Sequence, residues 1–176
     1  LLALVRSGDA ELLDFLKEQG RFQDSIIIIT GDHGEQFYEH GHTSHHGLFD
    51  ELIHVPLAIS VPDFNEPNTI NSSVSGVDIM PTILDYLTIP ALQQSKGHSL
   101  KPLIQGISVS LKDFVLAEYT GGAIPDCFAA RFEKYKFILE DGTLFAYDLK
   151  SDPTEQKKIY KNDFTPEMNG MFEKVK

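Results

Sequence analysis

Four consecutive isoleucines, Ile26–Ile29, run directly into Thr30-Gly31-Asp32-His33-Gly34. No other stretch limits the fold as much. Four β-branched residues are too few and too stiff for a helix. A short apolar run without alternation reads as a strand buried on both faces, as in a parallel sheet covered by helices. Ligands gather at the carboxyl ends of strands in such sheets. Asp32 and His33 place a carboxylate and an imidazole side by side at that position, which reads as a metal site. Histidine is also concentrated here. Of 7 in the chain, His33, His40, His42, His45, His46 and His54 all fall within this one stretch. Imidazole can ligate a metal, carry a proton near neutral pH, or bind an oxyanion when charged.

The flanking sequence supplies an α/β setting. Residues 9–19 (DAELLDFLKEQ) put Leu12, Leu13 and Leu16 on one helical face, with Gly20 as the C-cap. Residues 48–53 read as a helical turn and 56–61 (PLAISV) as a second strand opened by a proline. Residues 77–87 read as a helix with Pro81 in its first turn and with Ile79, Ile83, Leu84 and Leu87 inward. A short helix is expected over 99–105.

Beyond about residue 110 the period changes from helical to alternating. Residues 114–119, 127–132, 135–139 and 144–149 read as short strands, with tight turns at Lys134 and Asp141-Gly142. Asp152-Pro153 reads as the start of a helical turn, and Thr165-Pro166-Glu167 as the capped start of a terminal helix. The expected fold is therefore α/β. A partial sheet covered by helices is followed by a small antiparallel sheet and a terminal helix, with a division into residues 1–110 and 111–176.

A chain of 176 residues can bury a sizeable core. Its net charge of -11 argues against nonspecific nucleic-acid binding, so an anionic substrate must meet a local positive site. No apolar run is long enough to span a membrane. Arg6 ends the apolar start too early for a signal peptide, and the chain begins without Met, as a fragment or processed product would. Nothing fixes the compartment. The single cysteine, Cys127, excludes an internal disulfide framework.

Several segments, in order, resemble the sulfatases of the alkaline phosphatase superfamily. They are Thr30–Glu35 (TGDHGE), Glu39–Gly41 (EHG), Asp50–Pro56 (DELIHVP), Val77–Leu84 (VDIMPTIL), Gly97–Leu103 (GHSLKPL), and Arg131–Pro153 with its Tyr-Lys, Tyr-Asp-Leu and Asp-Pro pieces. The resemblance implies an alkaline phosphatase-like fold and hydrolysis of sulfate esters on small molecules or glycans. It implies one divalent cation held in part by Asp32 and His33. Calcium is the usual ion; a nitrogen ligand keeps manganese and zinc open. It also implies a cationic contact to the sulfate or leaving group about ten residues before the Val55-Pro56 pair. That spacing selects His46, with His45 one residue away.

His40 reads as loop architecture, His42 stays open between architecture and function, and His54 and His98 read as structural and surface residues. Glu35 and Glu39 are expected to orient His33 or backbone amides. Asp78 reads as a helix-start residue, and Arg131, Tyr135 and Lys136 as a hairpin near the site. Residues 127–131 (CFAAR) formally match the formylglycine pattern Cys/Ser-x-Pro/Ala-x-Arg. The family places that motif before a helix and upstream of Asp-His-Gly, so Cys127 is rejected as the nucleophile. On this resemblance the formylglycine and two more metal carboxylates fall before residue 1. The chain alone is then expected to be inactive and to associate with itself or with the missing part. Two rivals remain. One is a phosphate or phosphonate ester hydrolase or phospho-group transferase of the same superfamily. The other is a noncatalytic assembly module that kept the fold.

Overall fold

The computed structural model describes residues 7–41, 43, 45–62, 64, 67–107, 109, 112–121 and 124–175. Helix α1, Ser7–Glu18, ends as the glycine predicts. Gly20 adopts φ +63, its N–H donates to the Lys17 carbonyl (3.0 Å), and Arg21 N–H donates to the Leu16 carbonyl (2.9 Å). This paired closure satisfies two of the last orphan carbonyls of the helix. Leu13 and Leu16 are half-buried, whereas Leu12 stays 57% exposed.

The isoleucine run forms β1, Ile27–Thr30, as expected. Its pairing differs from the parallel arrangement anticipated. β1 lies antiparallel to β2, Leu57–Ser60, with Ile28 opposite Ile59 and Thr30 opposite Leu57. The isoleucines are half-buried rather than sealed on both faces. Ile26, Leu57 and Ile59 pack on a core of Val61, Leu100, Leu103 and Ile104. Ile27, Ile29 and Ala58, on the opposite face, join none of the buried clusters among the described residues. Burial on both sides needs a layer on each side, and among the described residues only one buried cluster packs on this strand pair.

Between the strands lies the histidine-bearing loop and α2, Asp50–Ile53. Asp78, almost fully buried, opens α3, Ile79–Tyr86. Its carboxylate accepts the Ser75 and His98 backbone N–H groups, both at 2.8 Å, which is the structural role foreseen for it. Thr82 on α3 donates to the Asp78 carbonyl and accepts from Leu100 N–H, tying α3 to the start of α4, Lys101–Ile104. Leu87 was expected inward but is exposed. The helix stops at Tyr86, and the chain turns out through Thr88 at φ +56.

The C-terminal sheet is an antiparallel meander: β3 Phe114–Tyr119, β4 Cys127–Phe132, β5 Tyr135–Glu140, β6 Thr143–Asp148 and β7 Ile159–Tyr160. Asp141 and Gly142 both take positive φ, the geometry a two-residue hairpin needs to match strand twist. Residues 152–157 form turns rather than the expected helical turn. The Asp152 carboxylate collects the N–H groups of Gln156 (3.1 Å) and Lys157 (2.8 Å), and the chain then enters β7, which the sequence did not reveal.

One sheet face presents Ala130, Phe132, Tyr135, Phe137 and Ala146 to Phe164 and Met168 around the terminal helix α5, Pro166–Glu173. Thr165 caps that helix by accepting Met168 N–H at 3.2 Å. The other face presents Cys127, Ala129, Ile138, Phe145 and Tyr147 to Leu48 and Phe49 of the histidine loop. The sheet is thus the floor on which the candidate site rests.

Candidate functional site

Gly34 shows why the Asp-His-Gly turn has its sequence. Its N–H donates to the Leu52 carbonyl at 2.8 Å, and a Cβ there would collide with the Glu51 carbonyl oxygen. Only glycine lets this turn lie against α2. The neighbouring side chains are aimed outward by local hydrogen bonds. Asp32 Oδ1 accepts the His33 backbone N–H (2.9 Å), and that bond, more than the nearby imidazole, lowers the Asp32 pKa below its ordinary value.

His33 Nδ1 lies 2.8 Å from the Gly34 carbonyl, which can only accept, so Nδ1 carries the proton. The same bond raises the His33 pKa. In the neutral ring the lone pair then belongs to Nε2, which stands 3.9 Å from Asp32 Oδ2. A backbone carbonyl fixing one ring nitrogen while the other faces a carboxylate is the arrangement a metal-ligating histidine needs. Asp32, at 90% side-chain exposure, opens to solvent. The donors fit two positions on a divalent cation. Among the described residues no group of three or more potential ligands converges.

The other predicted histidines line up beside this pair. The His45 ring stacks on His33 with centroids 4.9 Å apart, and its Nδ1 lies 3.6 Å from Glu35 Oε2. The His46 ring is 4.7 Å from that of His45, and its Nδ1 hydrogen-bonds the Tyr119 hydroxyl at 3.0 Å. Asp32, His33, His45 and His46 therefore form one continuous row, anchored at its far end by β3. Glu35 faces His45 rather than the expected His33, and Glu39 accepts the Phe37 backbone N–H. His54 is exposed. His42 lies outside the described residues.

His40 is architectural, as read from the sequence. Its Nδ1 meets Glu51 Oε1 at 2.7 Å, its Nε2 meets the Glu155 carbonyl at 3.1 Å, and its ring stacks on Phe49 at 3.6 Å. Beneath it lies a buried ionic cluster that sequence reasoning missed. Lys136 is fully buried; its Nζ donates to the Leu48 carbonyl (2.8 Å), pairs with Asp50 Oδ1 (2.9 Å), and pairs with Glu155. Arg131 clamps Asp50 through Nε and Nη2, both at 3.0 Å to Oδ2. Asp50 N–H donates to Glu155 Oε2 at 2.6 Å.

Burial pushes Asp50 up, but Arg131 and Lys136 together outweigh it and hold its carboxyl below the ordinary value. Glu155 goes the other way, because desolvation wins over the pull of Lys136. The available signal was strand alternation. Arg131 shares a face with Cys127 and Ala129, and Lys136 shares one with Ile138, so both cations had to point at the loop.

Cys127 opens β4, between β3 and β5, and is buried, with its thiol pushed up by that burial. Arg131, five positions into the formal formylglycine pattern, is committed to Asp50. Both features agree with the rejection of that motif.

Residues 38–175 match the family described as N-sulphoglucosamine sulphohydrolase, C-terminal. This chain belongs to the sulfatase family. Its fold is that of the alkaline phosphatase-like sulfatases. Among known proteins it is similar to arylsulfatase K of Gallus gallus, 31% identical over 161 residues that cover 85% of this chain and 30% of that protein. The N-acetylglucosamine-6-O-sulfatase of Bacteroides thetaiotaomicron is 27% identical, covering 90% of this chain and 31% of that one.

A phosphonate monoester hydrolase of Agrobacterium radiobacter superposes with a TM-score of 0.84 at 26% identity, over 94% of this chain and 37% of its own. A structure solved with its substrate D-glucosamine-2-N,6-O-disulfate superposes with a TM-score of 0.80 at 24% identity, over 95% of this chain and 37% of its own. The sulfatase chain described here thus spans about 30% of the length of the curated relatives it matches. Among the described residues, no helix is long and apolar enough to cross a membrane.

Proposed function

We propose that this chain is the C-terminal portion of a metal-dependent sulfatase that hydrolyses sulfate esters. In this reading residues 1–110 complete the α/β catalytic domain and residues 111–176 form the antiparallel subdomain beneath it. The observation that carries the reading is the His33 bond to the Gly34 carbonyl, which leaves Nε2 facing the exposed Asp32 carboxylate beside a row of further imidazoles. Asp32 and His33 hold a divalent cation, with calcium the first expectation and manganese or zinc open to the nitrogen donor. That cation would polarise the ester oxygens and offset their charge.

His46 and His45 contact the sulfate or the leaving oxygen. In this reading the Tyr119 hydroxyl, 3.0 Å from His46 Nδ1, is the donor of that bond and so keeps the proton on Nε2 for donation to an oxyanion. His45 is steadied by Glu35 and by its stack on His33. The nucleophile, a formylglycine in this reading, and the remaining metal carboxylates come from sequence outside this chain, so the chain alone is inactive and associates with that part or with itself. The phosphonate monoester hydrolase superposition supports a second reading, ester hydrolysis at phosphorus on the same scaffold.

Manganese titration tests the metal reading. Mn²⁺ added to the isotope-labelled chain broadens the resonances of Asp32, His33 and His45 first, and Asp32→Asn removes that selectivity. Uniform broadening over the acidic surface would defeat it. Aryl sulfate against phosphonate monoester hydrolysis, measured on the full-length protein, separates the two reaction classes.

A further inference from the structure

The two outer strands of the meander, β7 and β3, are built differently. An outer strand carries a row of unpaired N–H and C=O groups, and it pairs with another chain unless something blunts it. Short length, lysines, prolines and bulges are the usual devices. β7 has two of them: it is two residues long, and Lys157, Lys158 and Lys161 flank it. β3 has none. It runs for six residues, Phe-Val-Leu-Ala-Glu-Tyr, with no proline, lysine or glycine. Its register against β4 is unbroken from Phe114 opposite Phe132 to Tyr119 opposite Cys127, so no bulge bends it away. Among the described residues nothing pairs with its outer side.

The side chains narrow what would pair there. Leu116 opposes Ala130, Ala130 opposes Phe137, and Phe137 opposes Ala146, so Leu116 is the outer end of the apolar row on the α5 side of the sheet. It is nevertheless 63% exposed, because the row stops at the edge. Opposite charges stand at the two ends of the strand. Glu118, exposed, shares the side of Leu116 near the end of β3. Lys174, after α5, reaches the residue before the start of β3, with Nζ 2.5 Å from Asp113 Oδ2. A strand with an apolar centre and opposite charges at its ends is complementary to an antiparallel copy of itself. Opposed residues of an antiparallel pair project to the same side, so the apolar face continues across the join only where a residue opposes its own copy. Two centres do this with all but one strand residue paired. Ala117 as centre would set Leu116 against Glu118. Leu116 as centre sets Leu116 against itself and Glu118 against Phe114, next to Lys174 of the other copy. The second arrangement pairs apolar with apolar and cation with carboxylate.

We propose that β3 is a dimerisation edge: it pairs antiparallel with β3 of a second copy about a two-fold axis at Leu116, which joins the two meanders into one sheet with both α5 helices on the same face. Leu116 meets its own copy, and Lys174 binds Glu118 of the second copy. The two-fold makes each contact twice, as a self-complementary interface requires. Glu118 is followed by Tyr119, which bonds His46, so the pairing also stiffens the strand that anchors the histidine row. This gives the self-association proposed above a surface, and it does not depend on the metal or the ester chemistry.

Disulfide trapping of Leu116→Cys tests it, in the 176-residue chain and in the full-length protein, with copper phenanthroline as oxidant. Across such a pair the Cα atoms stand about 4.5–5.5 Å apart, inside the span of about 4.4–6.8 Å that a disulfide bridges. Cys127 is 1% exposed, and the unsubstituted chain checks that it gives no background. Glu118→Cys is the control, because in this register its Cα lies roughly 14 Å from its own copy. Leu116→Cys is expected to form a covalent dimer at least about tenfold faster than Glu118→Cys, as thiols already held in place should. Leu116→Lys sets two ammonium groups face to face at an exposed position and should raise the dimer Kd of the full-length protein by about tenfold or more in sedimentation equilibrium. The proposal is overturned if Leu116→Cys stays monomeric under the oxidant, if Glu118→Cys is trapped as fast, or if Leu116→Lys sediments as the parent does. Trapping in the 176-residue chain that disappears in the full-length protein would overturn it as well, since the rest of that protein would then cover the edge. Trapping in both, in protein that binds no manganese, would uphold the edge and remove the metal reading.

Discussion

Lys136→Met is the sharpest test of how the site is held in place. Methionine keeps most of the length and apolar stem of the side chain, so packing changes little and the charge is what disappears. The fully buried ammonium is bound by the Leu48 carbonyl, Asp50 and Glu155. Without it, Glu155, which is 1% exposed, is left as a buried carboxylate with no cation beside it. Removing one partner of a buried pair costs about 3–5 kcal/mol, because the stranded charge keeps its desolvation penalty. For a domain of this size each kcal/mol lowers Tm by about 2–4 °C, so the expected drop is roughly 6–20 °C. Differential scanning calorimetry measures it.

The double variant Lys136→Met/Glu155→Gln removes the stranded charge while Asp50 keeps Arg131, and most of the loss should return. A single variant within about 2 °C of the parent would refute the reasoning, since no buried carboxylate would then have been stranded. A double variant no better than the single would refute it too.

Other outcomes follow from particular contacts. Gly34→Ala forces the turn off the Glu51 carbonyl and should cost about 1–3 kcal/mol by overpacking, seen as a lower urea midpoint with unchanged slope. His40→Ala breaks bonds to Glu51 and the Glu155 carbonyl and the stack on Phe49, and should lower stability by about 2 kcal/mol in the same assay. Asp50 titrates below its ordinary 3.8, so the unfolded chain binds more protons in acid. Its contribution is complete above that value and is lost as pH falls through the folded pKa. The Tm gap between parent and Asp50→Asn should therefore close below about pH 4; a gap that widens in acid would be inconsistent with the clamp. Tyr119→Phe removes the hydroxyl at His46 Nδ1, and the nitrogen chemical shifts of that ring should move toward the other tautomer while those of His40 stay fixed.

The meander was readable because its signals are local: alternation on each strand, and an Asp141-Gly142 pair whose positive φ values only a few residues tolerate. The helix ends at Gly20 and Thr165 were readable for the same reason. The partner of the isoleucine run was not, because four identical apolar residues carry no period to say which face is inward. β7 is two residues long and leaves no period either.

At the site, the cluster of His33, His45 and His46 was legible from composition and resemblance, since a single loop carries all three. Their anchors were not. Tyr119 lies 73 positions from His46, and Lys136 lies 86 from Asp50. Only the inward phase of Lys136 on its strand hinted at a buried charge, and the phase alone does not name the partner.

Anomalous diffraction from crystals of the full-length protein soaked in manganese tests the central assignment most directly. The account predicts one strong peak within about 2.0–2.6 Å of both Asp32 and His33 Nε2, with His33 Nδ1 still bonded to the Gly34 carbonyl. A peak bound elsewhere, with Asp32 and His33 left facing solvent, would contradict it.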